Sequence, residues 1–538
     1  MNPATSAPPR SVALAVVAFG VFVAADDLLV VSTMLRPIIE DLDLVLPDDL
    51  DDTAWVVNVY LIGYVAVMPL AGRLSDVLCR RAVFTGALGV FLVGSIVVPL
   101  ADGLTLLLVG RALTAIGGGA LIPVGMAVVG DLYREPARAR ALGLLAGIWT
   151  LGWVWGPIYG ALLVRFLAWE WQFWLNVPLA VAGIVAGWTV LSPARRAGPR
   201  VDWIGAALLT VALISPSVAL LDEARIQSVT GLEELTGEGG GVGGPWLYGV
   251  AAAALVAFVL VELRVQDPLI DLAVASGPRM APALVVNAML GAGLVIAIVN
   301  VPLYVNVVEG DLERSAVVAG ALLTALTGTM AVSTYLGGRL TARLGYRAPT
   351  LVGLALATGA FVLMGATWDS ETARVTLAWH LVLLGAGLGL VIAPTTAAAV
   401  DAAPADRRGV FAGLVIQARL IGFTIGLAGL TAWGARRFNQ LRAERDLPGL
   451  DDPGALAAAE IEITTSALAE TFLGAAAVMA LAIATAALLG WRRQSGRGVA
   501  PEDGSDAPAP AASQGPRSRR LVGDLESHDV GERRRSVP

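Results

Sequence analysis

Long apolar segments separated by short polar connections fill most of the chain, and this pattern predicts a bundle of membrane-spanning helices. A helix needs about 20 residues to cross a hydrocarbon core roughly 30 Å thick. The first segment begins at Ser11 and has no small-residue cleavage site, so we expect a retained helix and not a signal peptide. The others cover approximately residues 53–71, 82–100, 104–129, 141–164, 172–191, 203–221, 246–261, 281–303, 316–335, 348–366, 377–400, 409–434 and 471–490. About fourteen transmembrane helices are therefore predicted.

The loop after the second predicted helix is echoed by the loop after the tenth. The first reads GRLSDVLCRR from Gly72 and the second reads GRLTARLGYR from Gly338. Parallel repeats of six helices around a central site are one architecture of secondary transporters. We therefore predict an all-α membrane protein with a six-helix N-terminal half at 1–191, a linker with two extra transmembrane helices at 192–280 and a six-helix C-terminal half at 281–491.

The C-terminal part of the chain contains two polar regions. From 409 to about 446 there is no proline, and one helix of that length, at about 1.5 Å per residue, would extend well past the hydrocarbon core. Pro448 would end it, and 455–470 has the pattern of a second, amphipathic helix. We expect an extracytoplasmic helical extension at about 435–470, with a flexible polar loop as the alternative. Residues 492–538 are polar and Pro-rich, which predicts a disordered cytoplasmic tail.

Arginine-rich connections alternate with connections that hold few basic residues. The basic set contains Arg73, Arg80, Arg81, Arg134, Arg138, Arg140, Arg195, Arg196, Arg200, Arg264, Arg279, Arg339, Arg343, Arg347, Arg407 and Arg408. Basic residues in short loops are retained on the cytoplasmic side, so both termini are predicted to be cytoplasmic and the protein to lie in the cytoplasmic membrane. Four arginines after the thirteenth helix depart from this pattern: Arg436, Arg437, Arg442 and Arg445.

Composition excludes several classes of protein. Of 538 residues, 56% are hydrophobic and 15% are charged, against about 45–50% and about 25% in soluble proteins. The net charge of −7 offers no basic surface for nucleic acid. The single cysteine, Cys79, and two distant histidines cannot form a Cys/His metal cluster, and the HExxH and GxSxG motifs are missing. We expect neither an enzyme nor a bound metal or cofactor.

Four charged residues fall within predicted helices, namely Asp26, Asp27, Arg111 and Arg419. An unpaired charge in a bilayer costs roughly 2.5–3.5 kcal/mol on insertion scales. A carboxylate is protonated when it is desolvated and ionised when an arginine approaches. Our hypothesis is that Asp27 alternates between a protonated form and an ion pair with Arg419 or Arg111 as the halves move. A static ion pair is the alternative.

Three tryptophans, Trp149, Trp153 and Trp155, lie together in the fifth predicted helix. They could line a route for a lipophilic substrate. Tryptophan belts at the membrane interface are more common, so we expect an interfacial position.

The loop from Gly72 resembles the signature loop of the major facilitator superfamily. The matching residues are Gly72, Leu74, Asp76, Arg80 and Arg81, with Cys79 where the family usually has glycine. The resemblance implies a gating loop in which Asp76 sits against the positive N-terminus of a helix from the other half. In this chain that helix is expected to start near Gly409.

Other motifs resemble the fourteen-helix drug:proton antiporter branch of that superfamily. Arg111 and the glycines at 117–119 are similar to a buried-arginine motif, and WEWQFWLNVP at 169–178 is similar to a signature at the outer start of the sixth helix. The fifth helix resembles the antiporter motif through Gly147, Gly152, Gly156, Pro157 and Gly160. Small residues allow close helix packing, and we expect Gly320 and Gly328 of the tenth helix to be their partners.

Within this branch the chain is most similar to an actinobacterial exporter group described both as multidrug pumps and as triacylglycerol transporters. The resemblance lies in segments 27–36, 60–69, 119–123, 418–422 and 434–438. That group carries a functional glutamate in the fifth helix, which aligns here with Thr150.

The resemblance implies a major facilitator fold and proton-coupled export of lipophilic substrates by alternating access, with the proton gradient as the energy source. Triacylglycerol-like lipid is the favoured substrate. The alternatives are a multidrug:proton antiporter for small lipophilic drugs, an uncoupled lipid scramblase and a scaffold. Expected partners are membrane lipids, the lipophilic substrate and an extracytoplasmic lipoprotein, and the chain is expected to be a monomer.

Overall fold

The computed structural model describes residues 9–31, 34, 37–38, 41–42, 50–134, 136–193, 201–228, 244, 246–309, 312–445 and 453–489. Every regular element in these residues is helical, which confirms the predicted all-α class. The predicted disordered tail at 492–538 and the expected break at Pro448 lie outside the described residues.

Fourteen of the described helices have 17 or more residues. In chain order they are α1 (Arg10–Val30), α2 (Leu50–Val77), α3 (Arg80–Val97), α4 (Leu104–Leu132), α5 (Ala137–Phe166), α6 (Trp171–Val190), α7 (Trp203–Ser228), α8 (Trp246–Glu262), α9 (Met280–Glu309), α10 (Leu312–Leu344), α11 (Arg347–Thr367), α12 (Arg374–Ala402), α13 (Arg408–Glu444) and α14 (Pro453–Ala486). Ten of them, α2 to α4, α6 and α9 to α14, are long and apolar enough to cross a membrane, while α7 and α8 contain shorter apolar stretches.

The helices pack as two groups of six that meet along two seams. In the N-terminal half (α1 to α6), α1 packs along α5, and α4 packs on α2 and α3. In the C-terminal half (α9 to α14), α10 packs on α12 and α9 packs on α13. The halves meet where α5 contacts α10 and where α2 contacts α13, while α7 and α8 pair with each other and α7 reaches α2.

A hairpin of α13 and α14 continues past the apolar part of α13. Helix α13 has 37 residues, about 55 Å at 1.5 Å per residue, so about 25 Å of it extends past a hydrocarbon core about 30 Å thick. Ion pairs join the two helices along this extension: Arg437 to Glu470 at 2.6 Å, Arg442 to Glu460 at 3.2 Å and Arg445 to Glu462 at 3.0 Å. These pairs account for three of the arginines that depart from the loop pattern.

The second arm of this hairpin is helical, as predicted for residues 455–470. It continues without a break into the final span, since α14 is one helix from Pro453 to Ala486. The reason is local. Pro453 is at the first helical position, where its missing N–H costs nothing, and no other proline follows before the helix ends.

Helices α9 and α13 approach so closely that backbone meets backbone. A β-carbon on Gly422 would overlap the carbonyl oxygen of Ala288, and a β-carbon on Gly426 would lie 2.7 Å from the Ala292 side chain. Small residues at these positions therefore set the distance between the two helices.

We expect Gly422→Ala to lower the melting temperature of the detergent-solubilised protein by several degrees. The added methyl group forces α9 and α13 apart, and overpacking of this kind costs about 1–3 kcal/mol. Gly359→Ala on α11 is the matched control, because no atom lies within 4 Å of its β-carbon position. Equal melting temperatures for the two variants would contradict the packing argument.

Candidate functional site

Asp27, near the end of α1, forms a buried ion pair with Arg111 of α4. Arg111 Nη1 donates to Asp27 Oδ2 at 2.9 Å, and the exposed fractions of the two side chains are 1% and 0%. Asn176 of α6 lies 3.5 Å from the other carboxylate oxygen. Of the two partners considered for Asp27, the structure places Arg111 at the carboxylate.

Asp26 lies beside this pair but has a different partner. Gln172 Nε2 of α6 donates to Asp26 Oδ2 at 3.1 Å. No arginine lies within salt-bridge distance of Asp26 in the described part of the chain. The two neighbouring carboxyl groups therefore have distinct environments: Asp27 contacts a cation and an amide, whereas Asp26 has a neutral amide as its partner.

Aromatic side chains connect the Asp27–Arg111 pair to the middle of the bundle. The Arg111 guanidinium lies 4.2 Å from the centre of the Tyr60 ring, and Tyr60 stacks on Tyr64 with centroids 5.6 Å apart. Trp149 Nε1 of α5 donates to the Tyr64 hydroxyl at 3.1 Å. Because Trp149 is only 3% exposed, the predicted interfacial position is wrong for this residue, whereas Trp155 is 45% exposed.

Arg419 of α13 is the buried cation of the C-terminal half. Its Nη2 and Nε atoms donate to Asn287 Oδ1 at 2.6 and 3.2 Å, and its guanidinium lies 5.6 Å from the Trp149 ring. Within the described residues no carboxylate lies within 4 Å of Arg419. The hydroxyl of Thr150 is buried and bonds the Ala146 carbonyl of its own helix, so α5 supplies no anion at that position.

These contacts form a continuous path between the halves. The path runs from the carboxylate of Asp27 to the guanidinium of Arg419 through Arg111, Tyr60, Tyr64 and Trp149. An unbroken series of side-chain contacts therefore links the buried charges of the two halves.

The glycines of α5 have partners different from those expected. Gly320 and Gly328 face no atom within 4 Å, so they do not receive the antiporter-motif glycines. A β-carbon on Gly152 would lie 2.5 Å from that of Ala25, and one on Gly156 would lie 2.8 Å from the Asp26 carbonyl oxygen. The motif therefore seats α5 on α1 within the N-terminal half.

The earlier turns of α5 pack across the seam instead. Gly143 faces Gly338, and Gly147 faces the Ala331 carbonyl oxygen of α10. Gly160 is buried, and Pro157 lies in the same helix. The expectation of close contact with α10 is thus met by Gly147, one of the predicted residues, and by Gly143 one turn before it, but their partners are Ala331 and Gly338 instead of Gly320 and Gly328.

Asp76 joins the two halves at the end of the bundle where α2 finishes. Its carboxylate accepts hydrogen bonds from the backbone N–H groups of Gly409 and Val410, both at 3.1 Å. Arg80 lies 2.6 Å from Asp76 and 3.1 Å from Asp131. The predicted placement of a carboxylate on the positive N-terminus of α13 is therefore present.

Further polar contacts close the same end, which we call the Asp76 end. Arg408 donates to the Gly130 carbonyl at 3.1 Å and lies 3.5 Å from Asp131. Arg138 pairs with Asp401, which also accepts from the Tyr346 hydroxyl at 2.6 Å. Arg81 does not join this set, since it donates to the Trp188 carbonyl and lies over the Trp188 ring.

Cys79 replaces the usual glycine of the loop without strain. Its φ of −90° and ψ of 139° are extended values open to any residue, and its Sγ accepts from Ala82 N at the start of α3. The equivalent position of the second repeat, Gly345, has φ of 77°, a conformation that favours glycine. The two loops therefore share a sequence pattern but turn differently.

Sequence reasoning missed the roles of Gln172, Asn176, Tyr60 and Asn287. The first two lie in the segment at 169–178 that was recognised only as a signature. A buried amide or tyrosine has no charge to mark it within an apolar helix, and only the fold shows which ones meet the charged groups. No group of three or more metal-ligating side chains occurs among the described residues.

Comparison with known proteins gives consistent results. A family model described as the Major Facilitator Superfamily matches residues 17–427. A triacylglyceride transporter of Mycolicibacterium smegmatis is 33% identical over 555 residues, covering 97% of this chain and 93% of the relative. A triacylglyceride transporter of Mycolicibacterium hassiacum is 35% identical over 453 residues, 81% of each chain, and one of Mycobacterium tuberculosis is 33% identical over 455 residues, 81% and 84%.

Two solved structures share the fold at low sequence identity. The human organic anion transporter MFSD10 has a TM-score of 0.58 at 17% identity, covering 89% of this chain and 100% of its own. The proton:xylose symporter XylE has a TM-score of 0.58 at 11% identity, covering 88% and 94%.

We expect Asp76→Asn to speed hydrogen exchange in the first turn of α13 by about tenfold or more. A hydrogen bond to a charged group contributes about 1.5–3 kcal/mol, and Asp76 makes two such bonds to this turn. Exchange followed by mass spectrometry on a peptide starting near 408 measures the effect. Asp102→Asn, which removes an exposed carboxylate before α4, is the control, and equal exchange in both variants would contradict the role of Asp76.

Proposed function

The chain belongs to the major facilitator superfamily and is a multi-pass membrane transporter, and from this premise we propose that it exports lipophilic substrates in exchange for protons. The observation that carries the proposal is the buried path from Asp27 and Arg111 to Arg419. A charge buried in the membrane is costly unless it is paired. The Asp27–Arg111 pair lies within the N-terminal half and is linked by contacts to Arg419 of the C-terminal half, so a carboxyl group beside it can take up or release a proton as the halves move.

Alternating access would use the Asp76 end as one of its two gates. The polar contacts of Asp76, Arg408 and Arg138 close the interface there. We place this end in the cytoplasm, because the arginine-rich loops lie on it. In that orientation the structure is closed to the cytoplasm, and the α13–α14 hairpin extends on the outer side.

Triacylglycerol-like lipid is the substrate we favour. The support is that three relatives at 33–35% identity, which cover most of this chain, are triacylglyceride transporters. Arg419 adds a physical reason, since a buried guanidinium without a carboxylate attracts neutral or anionic oxygen acceptors and repels a cation. We further propose that the exporter acts as a monomer and that its hairpin meets an extracytoplasmic lipoprotein.

An uncoupled scramblase or a scaffold would show no dependence on a proton gradient. Thr150, which replaces the glutamate of the related group, is the feature that would favour such a loss of coupling. The Asp27–Arg111 pair is intact without it, so we retain proton coupling as the conclusion.

We expect an imposed pH gradient to drive labelled triacylglycerol across proteoliposomes that contain the wild-type chain. Asp27→Asn should reduce this movement by about tenfold or more, because it leaves Arg111 buried and unpaired, and each 1.4 kcal/mol corresponds to tenfold. Asp102→Asn should behave as wild type. Gradient-driven movement that survives Asp27→Asn would refute the coupling role of this pair, and lipid movement that ignores the gradient in wild type would identify a scramblase.

We expect Arg419 to discriminate between lipophilic ions of equal shape. The quantity to measure is the inhibition of lipid movement by the anion tetraphenylborate divided by its inhibition by the cation tetraphenylphosphonium. We expect this ratio to be about tenfold higher in wild type than in Arg419→Gln, because the variant lacks one buried positive charge. The variant sets the baseline for the different membrane partitioning of the two ions. Arg343→Gln removes an exposed arginine of α10 and is the control. An unchanged ratio in Arg419→Gln would show that Arg419 does not face the transport path.

A further inference from the structure

Asp26 and Gln172 form a buried pair that has one hydrogen bond and two oxygen atoms without a partner. Gln172 Nε2 donates to Asp26 Oδ2 at 3.1 Å. Gln172 is fully buried, and Asp26 is 6% exposed. The second oxygen of each group, Asp26 Oδ1 and Gln172 Oε1, is also buried and has no hydrogen-bond partner among the described residues.

Two unpartnered acceptor oxygens in one buried pair are a costly arrangement. Each buried polar atom without a partner loses its hydrogen bond to water and gains nothing in return. A proton on Asp26 Oδ1 removes the buried charge and supplies the kind of donor that Gln172 Oε1 lacks, while Nε2 continues to donate to Oδ2. A carboxylic acid and a primary amide are chemically suited to a cyclic pair with two hydrogen bonds.

We propose that Asp26 is the group that carries the exchanged proton, with Gln172 as its positioning residue, while Asp27 stays ionised against Arg111. The proposal rests on the proton-coupled function above and assigns the two neighbouring carboxyl groups different tasks. It also fits the electrostatics of the cluster, since two carboxylates beside one arginine cannot both be ionised at low cost. The other groups near Asp26 are Tyr60 of α2 and Tyr159 of α5.

Helix α5 connects this proton site to the movement of the halves. β-Carbons on Gly152 and Gly156 would lie 3.0 Å from Asp26 N and 2.8 Å from Asp26 O, so α5 rests directly on the peptide groups of Asp26. Two turns earlier, Gly143 of the same helix packs on Gly338 of the C-terminal half. Because α5 contacts both Gly338 of the C-terminal half and the peptide groups of Asp26, we expect movement between the halves to displace α5 within its own half and so to change the access of Asp26 to water.

The test is infrared difference spectroscopy of the full chain in lipid, recorded between low and high pH, beside transport of labelled triacylglycerol with a dye for internal pH. We expect the band of a buried protonated carboxyl group in wild type, Asp102→Asn and Asp27→Asn, and its loss in Asp26→Asn. Asp26→Asn should also lose the response of lipid movement to the pH gradient and the proton counterflow. Asp26→Glu should restore both.

Gln172→Leu keeps the measurement decisive if Asp26→Asn does not fold. The carboxyl band should remain in this variant but shift, because the acid loses both hydrogen bonds to the amide. The midpoint of the pH–rate profile should move by about one unit, the scale of one hydrogen bond. A role of Gln172 in packing alone would lower the yield without moving band or midpoint.

A band that persists in Asp26→Asn and disappears in Asp27→Asn would place the proton on Asp27 and overturn the inference. An unchanged band and an unchanged midpoint in Gln172→Leu would overturn the positioning role of Gln172 and with it the inference as stated. Lipid movement that ignores the gradient in wild type would instead overturn the proposed function, so the two failures are distinguishable.

Discussion

The cost of placing a charge in hydrocarbon governs the interior of this protein. Each buried ionic group has a specific solution to that cost. Asp27 meets Arg111 directly, Asp76 uses two backbone N–H groups and Arg80, and Arg419 relies on one amide oxygen and an aromatic ring. These solutions differ in strength, because an ion pair compensates both charges whereas an amide compensates a cation only in part. The weakest compensation lies in the C-terminal half, next to the seam that the proposed transport cycle opens.

Close helix packing makes the ionic groups dependent on one another. Glycines bring α5 onto α1 at one end and onto α10 at the other, and they bring α9 onto α13 beneath Arg419. Backbone atoms in direct contact cannot slide without displacing their neighbours, since packed interiors have few alternative arrangements. Helix α5 therefore connects the proposed proton site at Asp26 to the interface between the halves at α10.

The sequence is enough to predict the fold class and most of the ion-handling residues, because apolar runs and charges within them are rare patterns with few explanations. The contact of Asp76 with the start of α13 could be predicted because the negative carboxylate of the loop motif is attracted to the positive end of a helix dipole. The partners of Gly152 and Gly156 could not, since glycine spacing shows that a helix approaches closely but not which helix. Trp149 shows a similar limit: its ring is buried by Tyr64 and Arg419, which lie 85 and 270 positions away in the chain. Gln172 carries no charge and gains its significance only from the neighbour that the fold supplies.

The paired extension of α13 and α14 sets the distance between the bilayer and the tip of this hairpin. Headgroups add about 5–8 Å on each side of the hydrocarbon, so a stiff rod of about 25 Å clears them and ends well inside the aqueous space. Three arginine–glutamate ion pairs join the two helices along this length and hold them side by side. The rod thus acts as a spacer: whatever surface rests on its tip is held at a set standoff from the bilayer, and each added or deleted helical turn in both arms would change that distance by about 5.4 Å.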